Sequence, residues 1–282
     1  MPNITSFTPI DYLVIGHLTR DITPLGPLLG GTAAYAALTA QAMGLKVGIV
    51  TSWGTEMPLG QLYDIPIANF PAEHSTTFKN INTPKGQKQI IYHTAYPLGY
   101  ELVPKPWRDV SILHLGPVAS EVDASLIRHF PNALIGLSPQ GWLRTWDAKG
   151  QVKPVDWPKA SQVLQQVNAT VISIEDIEGS EQRVEDMAST CQILVVTEAK
   201  IGSRLYWNGS MHRFSAPKIT EVDSLGAGDI FAAAFFIRLY ATHDPWEAAR
   251  FATQVAAYSV SRYGLESIPT IEEIQRCLIE VQ

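Results

Sequence analysis

A glycine turn and an acidic residue stand directly in front of an apolar helix pattern in the C-terminal part of the sequence. Residues 223–229 read Asp-Ser-Leu-Gly-Ala-Gly-Asp. Gly226 and Gly228 lack a Cβ, so an anion can approach the backbone closely, and the first amides of a helix attract negative charge. We therefore expect the amides of Gly226, Ala227 and Gly228 to stabilise a transferring phosphoryl group. Asp229 would repel a phosphate, but it suits a general base that takes a hydroxyl proton.

The same residues permit a structural interpretation, in which Asp229 is a favourable acidic residue in the first turn of a helix. Other nucleotide-binding patterns are absent. No Gly-x-x-x-x-Gly-Lys-Ser/Thr motif occurs, which excludes a Walker-type phosphate loop. Phe231 stands where a dinucleotide fingerprint needs its third glycine.

Short β-rich apolar segments alternate with helical patterns along most of the chain, which is typical of βα units around a mainly parallel sheet. The predicted strands lie near Tyr12–Ile15, Val47–Thr51, Ser111–Leu115, Leu134–Leu137, Thr170–Ser173 and Ile193–Thr197, with a hairpin at Asn208-Gly209. The predicted helices lie near Gly31–Met43, Glu121–Phe130, Glu181–Ala188, Ala227–Tyr240, Pro245–Arg262 and Ile271–Glu280. Ligands bind at the carboxyl ends of strands in such sheets, so we expect the site in the loops that follow them.

The segment from about residue 65 to residue 100 departs from that alternation. Residues 74–82 and 87–94 are rich in Thr, Ile and Tyr, and Thr-Pro-Lys-Gly separates them. This pattern predicts antiparallel strands set apart from the parallel sheet, or an edge hairpin that extends it. We expect an α/β core of residues 1–64 and 101–282, with residues 65–100 inserted as a small β unit.

Composition limits the classes of function. Of the 282 residues 46% are hydrophobic and 17% are charged, which is enough to fill a sizeable core. The net charge of −6 disfavours nonspecific binding to nucleic acid or to anionic membranes. Residues 22–45 are uncharged, but prolines and glycines interrupt them, so we predict a loop and a buried helix rather than a membrane span. The first ten residues lack the pattern of a signal peptide, so a cytoplasmic protein is expected.

The block at 223–229, with its small and apolar helix, resembles the C-terminal signature of the PfkB/ribokinase family of carbohydrate kinases. The glycine pair Gly30-Gly31 and the small-residue helix after it resemble that family's N-terminal stretch. Weaker similarities lie at Val14-Ile-Gly16 with Asp21, at Thr197 with Gly202, and at residues 256–264. The resemblance covers essentially the whole chain.

This resemblance implies a ribokinase-like fold, a doubly wound and mainly parallel sheet flanked by helices, with a small β-stranded lid that excludes water from the reaction. It implies ATP as the phosphoryl donor and Mg²⁺ as the cofactor. Asp21, Gly30 and Gly31 would then orient the acceptor. The nucleotide would be bordered by Thr197, Gly202, Asp223 and Ala257. Exposed strands at the lid edge also offer a surface through which two copies could form a homodimer.

Several positions depart from the family pattern. Gln140 and Arg144 lie where the family has Asp-Pro-Asn-x-Arg, and they would face the substrate or the transferred phosphate. Glu175 and Glu178 lie where it has Asn-x-x-Glu around Mg²⁺, so Glu175 replaces the Asn and adds negative charge. Tyr35 stands where an Asn commonly contacts the sugar. The acceptor class therefore stays broad, a small polyol such as a sugar, an inositol or a nucleoside.

The sequence thus predicts an ATP-dependent kinase that phosphorylates a hydroxyl of a small polyol. A catalytically idle sugar- or nucleotide-binding sensor is the first alternative, because positions 35 and 175 are altered. A pyrimidine or vitamin kinase of the wider superfamily, which lacks a β lid, is the second.

Overall fold

The computed structural model describes residues 7–24, 26–83 and 86–279. Its strands are β1 (Tyr12–Ile15), β2 (Thr19–Thr23), β3 (Gly26–Gly30), β4 (Val47–Trp53), β5 (Ile67–Pro71), β6 (Thr77–Thr83), β7 (Gly86–His93), β8 (Ile112–Leu115), β9 (Leu134–Leu137), β10 (Arg144–Trp146), β11 (Val152–Pro154), β12 (Ala169–Ser173), β13 (Ile193–Thr197), β14 (Gly202–Trp207) and β15 (Ser210–Ser215). Its α-helices are α1 (Thr32–Ala42), α2 (Ala160–Leu164), α3 (Glu181–Ala188), α4 (Ala227–Thr242), α5 (Pro245–Ser259) and α6 (Ile271–Leu278). The predicted turn at 84–85, the first six residues and the predicted helix end at Glu280 lie outside the described residues.

Among the described residues, nine strands form one large sheet in the order β15-β14-β13-β12-β9-β8-β1-β4-β5. The strands from β13 to β5 run parallel, while β14 and β15 add an antiparallel hairpin at one edge. The hairpin turns at Asn208 and Gly209, both with positive φ, as the sequence predicts. The mainly parallel sheet is therefore confirmed.

Apolar side chains cover both faces of this sheet, which is why its strands are continuous apolar segments rather than alternating ones. All four residues of β1 are buried. Helices α1, α4, α5 and α6 pack with one face, and α2 and α3 pack with the other. Helix α4 has apolar residues on all sides and is buried along most of its length. The doubly wound α/β arrangement is confirmed, and α4 begins at the edge of the sheet where the strands end.

A separate four-stranded sheet has the order β3-β2-β6-β7. Its strands β6 and β7 pair antiparallel and do not extend the large sheet, so the edge-hairpin alternative is wrong. The prediction of a loop over residues 22–30 is also wrong, because β2 and β3 form a hairpin there. The prolines that suggest a loop are compatible with this hairpin, since Pro27 lies on an edge strand, where a missing N–H removes no inner ladder bond.

The strand assignments also differ from the proposed inserted segment. Strand β5 lies within residues 65–100 but belongs to the large sheet, beside β4. Conversely, β2 and β3 belong to the small sheet although they lie outside that segment. A small β unit assembled from residues 19–30 and 77–93 describes these strands better; that it acts as a separate lid stays a prediction.

The predicted helix at Glu121–Phe130 is wrong in its first half, since only Ala124–His129 is helical and it is a 3-10 segment. The carboxylate of Glu121 accepts hydrogen bonds from backbone N–H groups, among them those of His17 and Ala119. Val122 forms a β-bridge with Leu98 instead of continuing a helix. These tertiary contacts override the local helical pattern. Within the described residues, no helix is long and apolar enough to cross a bilayer.

Candidate active site

A cleft of about 550 Å³ lies where the loops after β8, β9, β12 and β13 meet the small sheet and the start of α4. It brings together most of the residues that the sequence predicts for the site. The predicted residues in its lining are Asp21, Gly31, Gln140, Arg144, Glu175, Thr197, Gly202, Asp223, Gly226, Ala227, Gly228, Asp229 and Ala257. Gly30 and Glu178 lie outside that lining.

The glycine turn before α4 has the geometry that the sequence predicts. Gly226 is the N-cap of α4, in the left-handed region at φ 78° and ψ −4°. The first intrahelical bond runs from the N–H of Ile230 to the oxygen of Gly226, at 2.9 Å. The amides of Gly228 and Asp229 therefore precede the helical ladder, at the positive end of the helix dipole. The amide of Ala227 donates to the oxygen of Ser224 at 3.2 Å, so it also holds the turn.

The absence of a side chain at Gly226 is required by its neighbour. A Cβ at this position would lie 2.3 Å from a ring carbon of Tyr35, whereas a Cβ at Gly228 would meet nothing within 4 Å. The Tyr35 ring thus packs against the backbone of the turn. No sequence pattern predicts this contact, although Tyr35 stands out in the sequence as a tyrosine at a position where the family commonly has an Asn.

We expect Gly226→Ala to lower the free energy of unfolding by about 1–3 kcal/mol, because it forces both a positive φ and a clash with Tyr35. Gly228→Ala is the matched control. It lies in helical backbone with free space around it, and we expect it to be neutral or to stabilise by up to about 1 kcal/mol. Denaturant unfolding of both variants measures the difference, and equal stabilities would contradict the packing argument.

Asp229 lies in the first turn of α4, half-buried at the base of the cleft. Its Oδ1 accepts a hydrogen bond from Oγ1 of Thr32 at 2.7 Å, which joins the starts of α1 and α4. The pKa of Asp229 is raised from 3.8 to about 6, mainly by burial; the hydrogen bond from Thr32 opposes this rise, and the nearby charge of Asp176 adds to it. A carboxylate with this pKa is ionised at neutral pH and is more basic than an ordinary Asp, which suits a general base.

Asp21 lies on β2 and lines the same cleft. Its Oδ1 accepts from Oγ1 of Thr19 at 3.0 Å, and burial raises its pKa to about 6. A Cβ on Gly30 would lie 2.3 Å from Oδ2 of Asp21. Gly30 therefore makes room for the carboxylate, and the contact of its amide with the ligand stays a prediction. Gly31, at φ 87°, does line the cleft.

Arg144 and Gln140 border the cleft near the small sheet. The Nε of Arg144 donates to the oxygen of Val118 at 2.7 Å, its Nη1 donates to Oε1 of Gln89 at 2.8 Å, and its guanidinium lies 4.9 Å from the ring centroid of Phe78. These contacts tie the small sheet to the core. Gln140 donates to Asp176 at 3.1 Å.

Asp176 is the acidic residue that the sequence analysis missed. Its Oδ2 accepts from the backbone N–H of Ser173 at 3.0 Å, so it caps the 3-10 segment Ile174–Ile177. Burial raises its pKa, and the positive charge of Arg144 opposes that rise.

The two residues proposed as metal ligands, Glu175 and Glu178, lie in different places. Glu175 lines the cleft, whereas Glu178 ends the segment at φ 55° and lines only an adjoining cavity of about 430 Å³.

The part of the cleft beside β13 and α5 contains the residues predicted for the nucleotide. Gly202 is at φ 116°, and a Cβ there would lie 1.9 Å from the oxygen of Phe214, so the close approach of β15 also requires this glycine. Asp223 lines the cleft, but its carboxylate accepts from the N–H groups of Leu225 and Gly264, both at 3.0 Å. The carboxylate of Asp223 therefore holds the turn, while Ala257 and Thr197 also line the cleft.

The charge of the cleft is mainly negative. Its lining contains six acidic residues, Asp21, Glu175, Asp176, Glu221, Asp223 and Asp229, and two basic residues, Arg144 and Lys200. Lys200 was not identified from the sequence. A polyanion entering this cleft meets net repulsion unless a cation accompanies it.

A sequence model described as pfkB family carbohydrate kinase matches residues 161–271. The chain is 24% identical to a cytidine kinase of Thermococcus kodakarensis, and the match covers 92% of this chain and 99% of that protein.

Two solved structures share the fold. One is a pyrophosphate-dependent kinase in the ribokinase family, complexed with a pyrophosphate analog and myo-inositol, with a TM-score of 0.78 at 17% identity, covering 94% of this chain and 99% of that one. The other is a ribokinase of Arabidopsis thaliana complexed with ribose and ATP, with a TM-score of 0.72 at 17% identity, covering 96% and 99%. The predicted ribokinase-like fold is confirmed.

Proposed function

Because the chain belongs to the pfkB family of carbohydrate kinases, we propose that it transfers the terminal phosphoryl group of ATP to a hydroxyl of a small polyol. The observation that supports this function most directly is the position of Asp229. It combines a raised pKa, an orienting hydrogen bond from Thr32 and a place among the free amides at the start of α4. The general base and the amides that would bind an anion therefore face the same cleft.

In the proposed reaction, Asp229 removes the proton of the acceptor hydroxyl while that oxygen attacks the terminal phosphorus in line with the leaving oxygen. The amides of Gly228 and Asp229, and the more constrained amide of Ala227, stabilise charge on the transferring group. Asp21 accepts hydrogen bonds from neighbouring hydroxyls and so orients the acceptor. The small sheet, tied to the core through Arg144, limits the access of water.

The negative lining of the cleft fits a donor that enters together with Mg²⁺. Among the described residues no group of three His, Cys, Asp or Glu could hold a metal ion alone. This agrees with the usual binding of Mg²⁺ by phosphates, waters and one or two carboxylates. We propose Glu175 as the main acidic residue toward that ion, with Glu178 more distant. The ion would neutralise charge on the donor phosphates.

The relatives leave the donor and the acceptor open, since one is a cytidine kinase and one solved neighbour is pyrophosphate-dependent and binds myo-inositol. The wall beside β13 and α5 supports a nucleoside donor. It adds apolar surface from Ala216, Pro217, Ile219, Ala256, Ala257 and Val260, which a pyrophosphate would leave uncovered. We therefore propose ATP.

The function is tested by measuring phosphorylation of a panel of acceptors, namely ribose, fructose, myo-inositol and cytidine, with ATP or pyrophosphate as donor and with or without Mg²⁺. ADP release with one acceptor supports the proposal. Turnover only with pyrophosphate would overturn the choice of donor. Ligand binding without any product would favour the sensor alternative. The small β sheet already argues against a pyrimidine or vitamin kinase, which lacks one.

We expect kcat/KM to fall as pH decreases below about 6, because Asp229 and Asp21 must be ionised and burial raises the pKa of each to about 6. The acid limb belongs to the coupled pair rather than to one residue. The charge of Asp21 raises the pKa of Asp229, so Asp21→Asn should move the limb to lower pH. A pH profile from 5 to 8 measures this, and a flat profile would contradict it.

A homodimer formed through the small sheet and a cytoplasmic location remain predictions.

A further inference from the structure

Three polar side chains form a hydrogen-bonded chain that crosses the core and ends at the cleft. Oη of Tyr12 lies 2.7 Å from Nδ1 of His114, and Nε2 of His114 lies 2.9 Å from Oγ of Ser138. They lie on or directly after β1, β8 and β9, which are neighbours in the sheet. Tyr12 and His114 are fully buried, whereas Ser138 lines the cleft.

The protonation state of His114 is set by its surroundings. Its ring packs edge-on against Phe236 of α4, with centroids 4.9 Å apart. Burial lowers the pKa of His114 to about 3, so the imidazole is neutral at any working pH. A neutral imidazole has one N–H and one acceptor nitrogen. The hydrogen bonds along the three side chains can therefore run in one of two directions, from Tyr12 through His114 to Ser138 or from Ser138 through His114 to Tyr12.

Burial of Tyr12 selects between these directions. Within the described residues, the Tyr12 hydroxyl has one hydrogen-bond partner, Nδ1 of His114. If Nδ1 carried the proton, the hydrogen of this buried hydroxyl would have no acceptor, which is costly away from water. Tyr12 therefore donates to Nδ1, and Nε2–H donates to Ser138. The hydrogen of Ser138 is then free to point into the cleft.

We propose that Ser138 donates a hydrogen bond to a hydroxyl oxygen of the acceptor, and that Tyr12 and His114 are positioning residues that fix its direction. This inference rests on the proposed kinase function. The carboxylates of Asp21 and Asp229 accept hydrogen bonds from hydroxyl groups of the acceptor. The oxygen atoms of those hydroxyls keep lone pairs, which a hydrogen-bond donor of the protein can satisfy. Ser138 lines the same cleft as both carboxylates, so all three side chains face the space in which the acceptor would bind.

The first test is kinetic. Ser138→Ala should raise the KM of the acceptor about two- to tenfold, the range for one neutral hydrogen bond, and leave the KM of ATP unchanged. The acceptor is whichever of ribose, fructose, myo-inositol and cytidine the wild type phosphorylates. A rise in the KM of ATP alone would assign Ser138 to the donor and overturn the proposal.

The second test separates positioning from stability. Tyr12→Phe does not alter the cleft lining, yet it should raise the acceptor KM by a similar factor, because Ser138 is then free to turn toward His114. In the Ser138→Ala background, Tyr12→Phe should have no further effect on KM. Val14→Ala, a buried residue on the same strand, is the control that loses stability but keeps the acceptor KM. Additive effects, or an unchanged KM in Tyr12→Phe, would overturn the positioning role.

The third test does not depend on turnover. Nitrogen NMR of protein labelled at histidine should show His114 as the neutral Nε2–H tautomer in the wild type and a mixture of tautomers in Tyr12→Phe. An Nδ1–H tautomer in the wild type overturns the assignment. If no acceptor on the panel is bound or phosphorylated, the kinase function and the contact with the acceptor fail together, while this spectrum still decides the direction of the chain.

Discussion

Asp229→Asn should lower kcat by about 10²–10⁴-fold, the usual loss when a general base is removed. The variant keeps an oxygen that can accept the hydrogen bond from Thr32, so the starts of α1 and α4 should stay joined. Binding of ATP and of the acceptor should persist, because an amide does not remove the anion site. Steady-state kinetics with the acceptor found by the panel, together with equilibrium binding of ATP, measure the effect.

The same substitution should stabilise the fold at neutral pH. The pKa of Asp229 is about 6 in the folded state and 3.8 in the unfolded chain, so between those values the folded state binds more protons. Stability contributed by this group is present below pH 3.8 and is lost as pH rises through 6. Asn has no such penalty. We expect the Tm of Asp229→Asn to exceed that of the wild type by about 2–4 °C for each kcal/mol of this penalty at pH 7.5, with the difference vanishing near pH 4.

A matched control makes the loss of activity specific. Asp244 is the N-cap of α5 and accepts from the backbone N–H of Trp246 at 2.9 Å, outside the cleft. Asp244→Asn makes the same chemical change at a helix start, and Asn is an equally good N-cap, so its kcat and stability should match those of the wild type. Full activity in Asp229→Asn would remove the catalytic role assigned to that residue. A loss of activity accompanied by a lower Tm at pH 7.5 would show that its role is structural.

Asp21→Ala should raise the acceptor KM by about 10- to 100-fold, since hydrogen bonds to a charged group are worth about 1.5–3 kcal/mol. The effect should be confined to the acceptor, because Asp21 belongs to the small sheet, whereas the wall proposed for the nucleotide is formed beside β13 and α5. Asp21→Asn keeps an oxygen for the hydrogen bond from Thr19, so its acceptor KM should lie between that of the wild type and that of Asp21→Ala. Initial rates at varied acceptor and at varied ATP distinguish these outcomes.

Asp64→Ala serves as the control for removal of a carboxylate, because Asp64 is exposed and lies outside the cleft. It should leave both KM values unchanged. An Asp21→Ala variant with a normal acceptor KM would show that the acceptor binds elsewhere in the cleft. An equal rise in the KM of ATP would point to a distorted small sheet rather than a lost contact.

Local sequence predicts the conformation where short-range chemistry decides it. The glycine turn at Gly226, the start of α4 and the hairpin at Asn208-Gly209 follow from local backbone preferences, and the structure has all three. Distant contacts decide the conformation where they compete with local preference. Glu121 accepts a hydrogen bond from the backbone N–H of the distant His17 instead of starting a helix. Pro27, a loop signal by itself, lies in an edge strand.

The candidate site shows the same division. Asp21, Arg144 and Asp229 could be selected because their types suit a cleft at the ends of parallel strands, and the fold brings them to one cavity. The sequence does not single out Asp176, because its neighbours Glu175 and Glu178 are also carboxylates and could take the same role. Only the capping of its segment turns Asp176 inward.

The sequence alone determined the alternation of strands and helices, the glycine turn and the acidic residue behind it, because these depend on periodicity and on backbone freedom over a few residues. Tertiary structure decided which polar groups lose their water. Burial raises the pKa of Asp229 and keeps His114 neutral, and it sets the direction in which Ser138 can donate. Such effects depend on neighbours more than a hundred residues away in the chain, such as Tyr12 for His114.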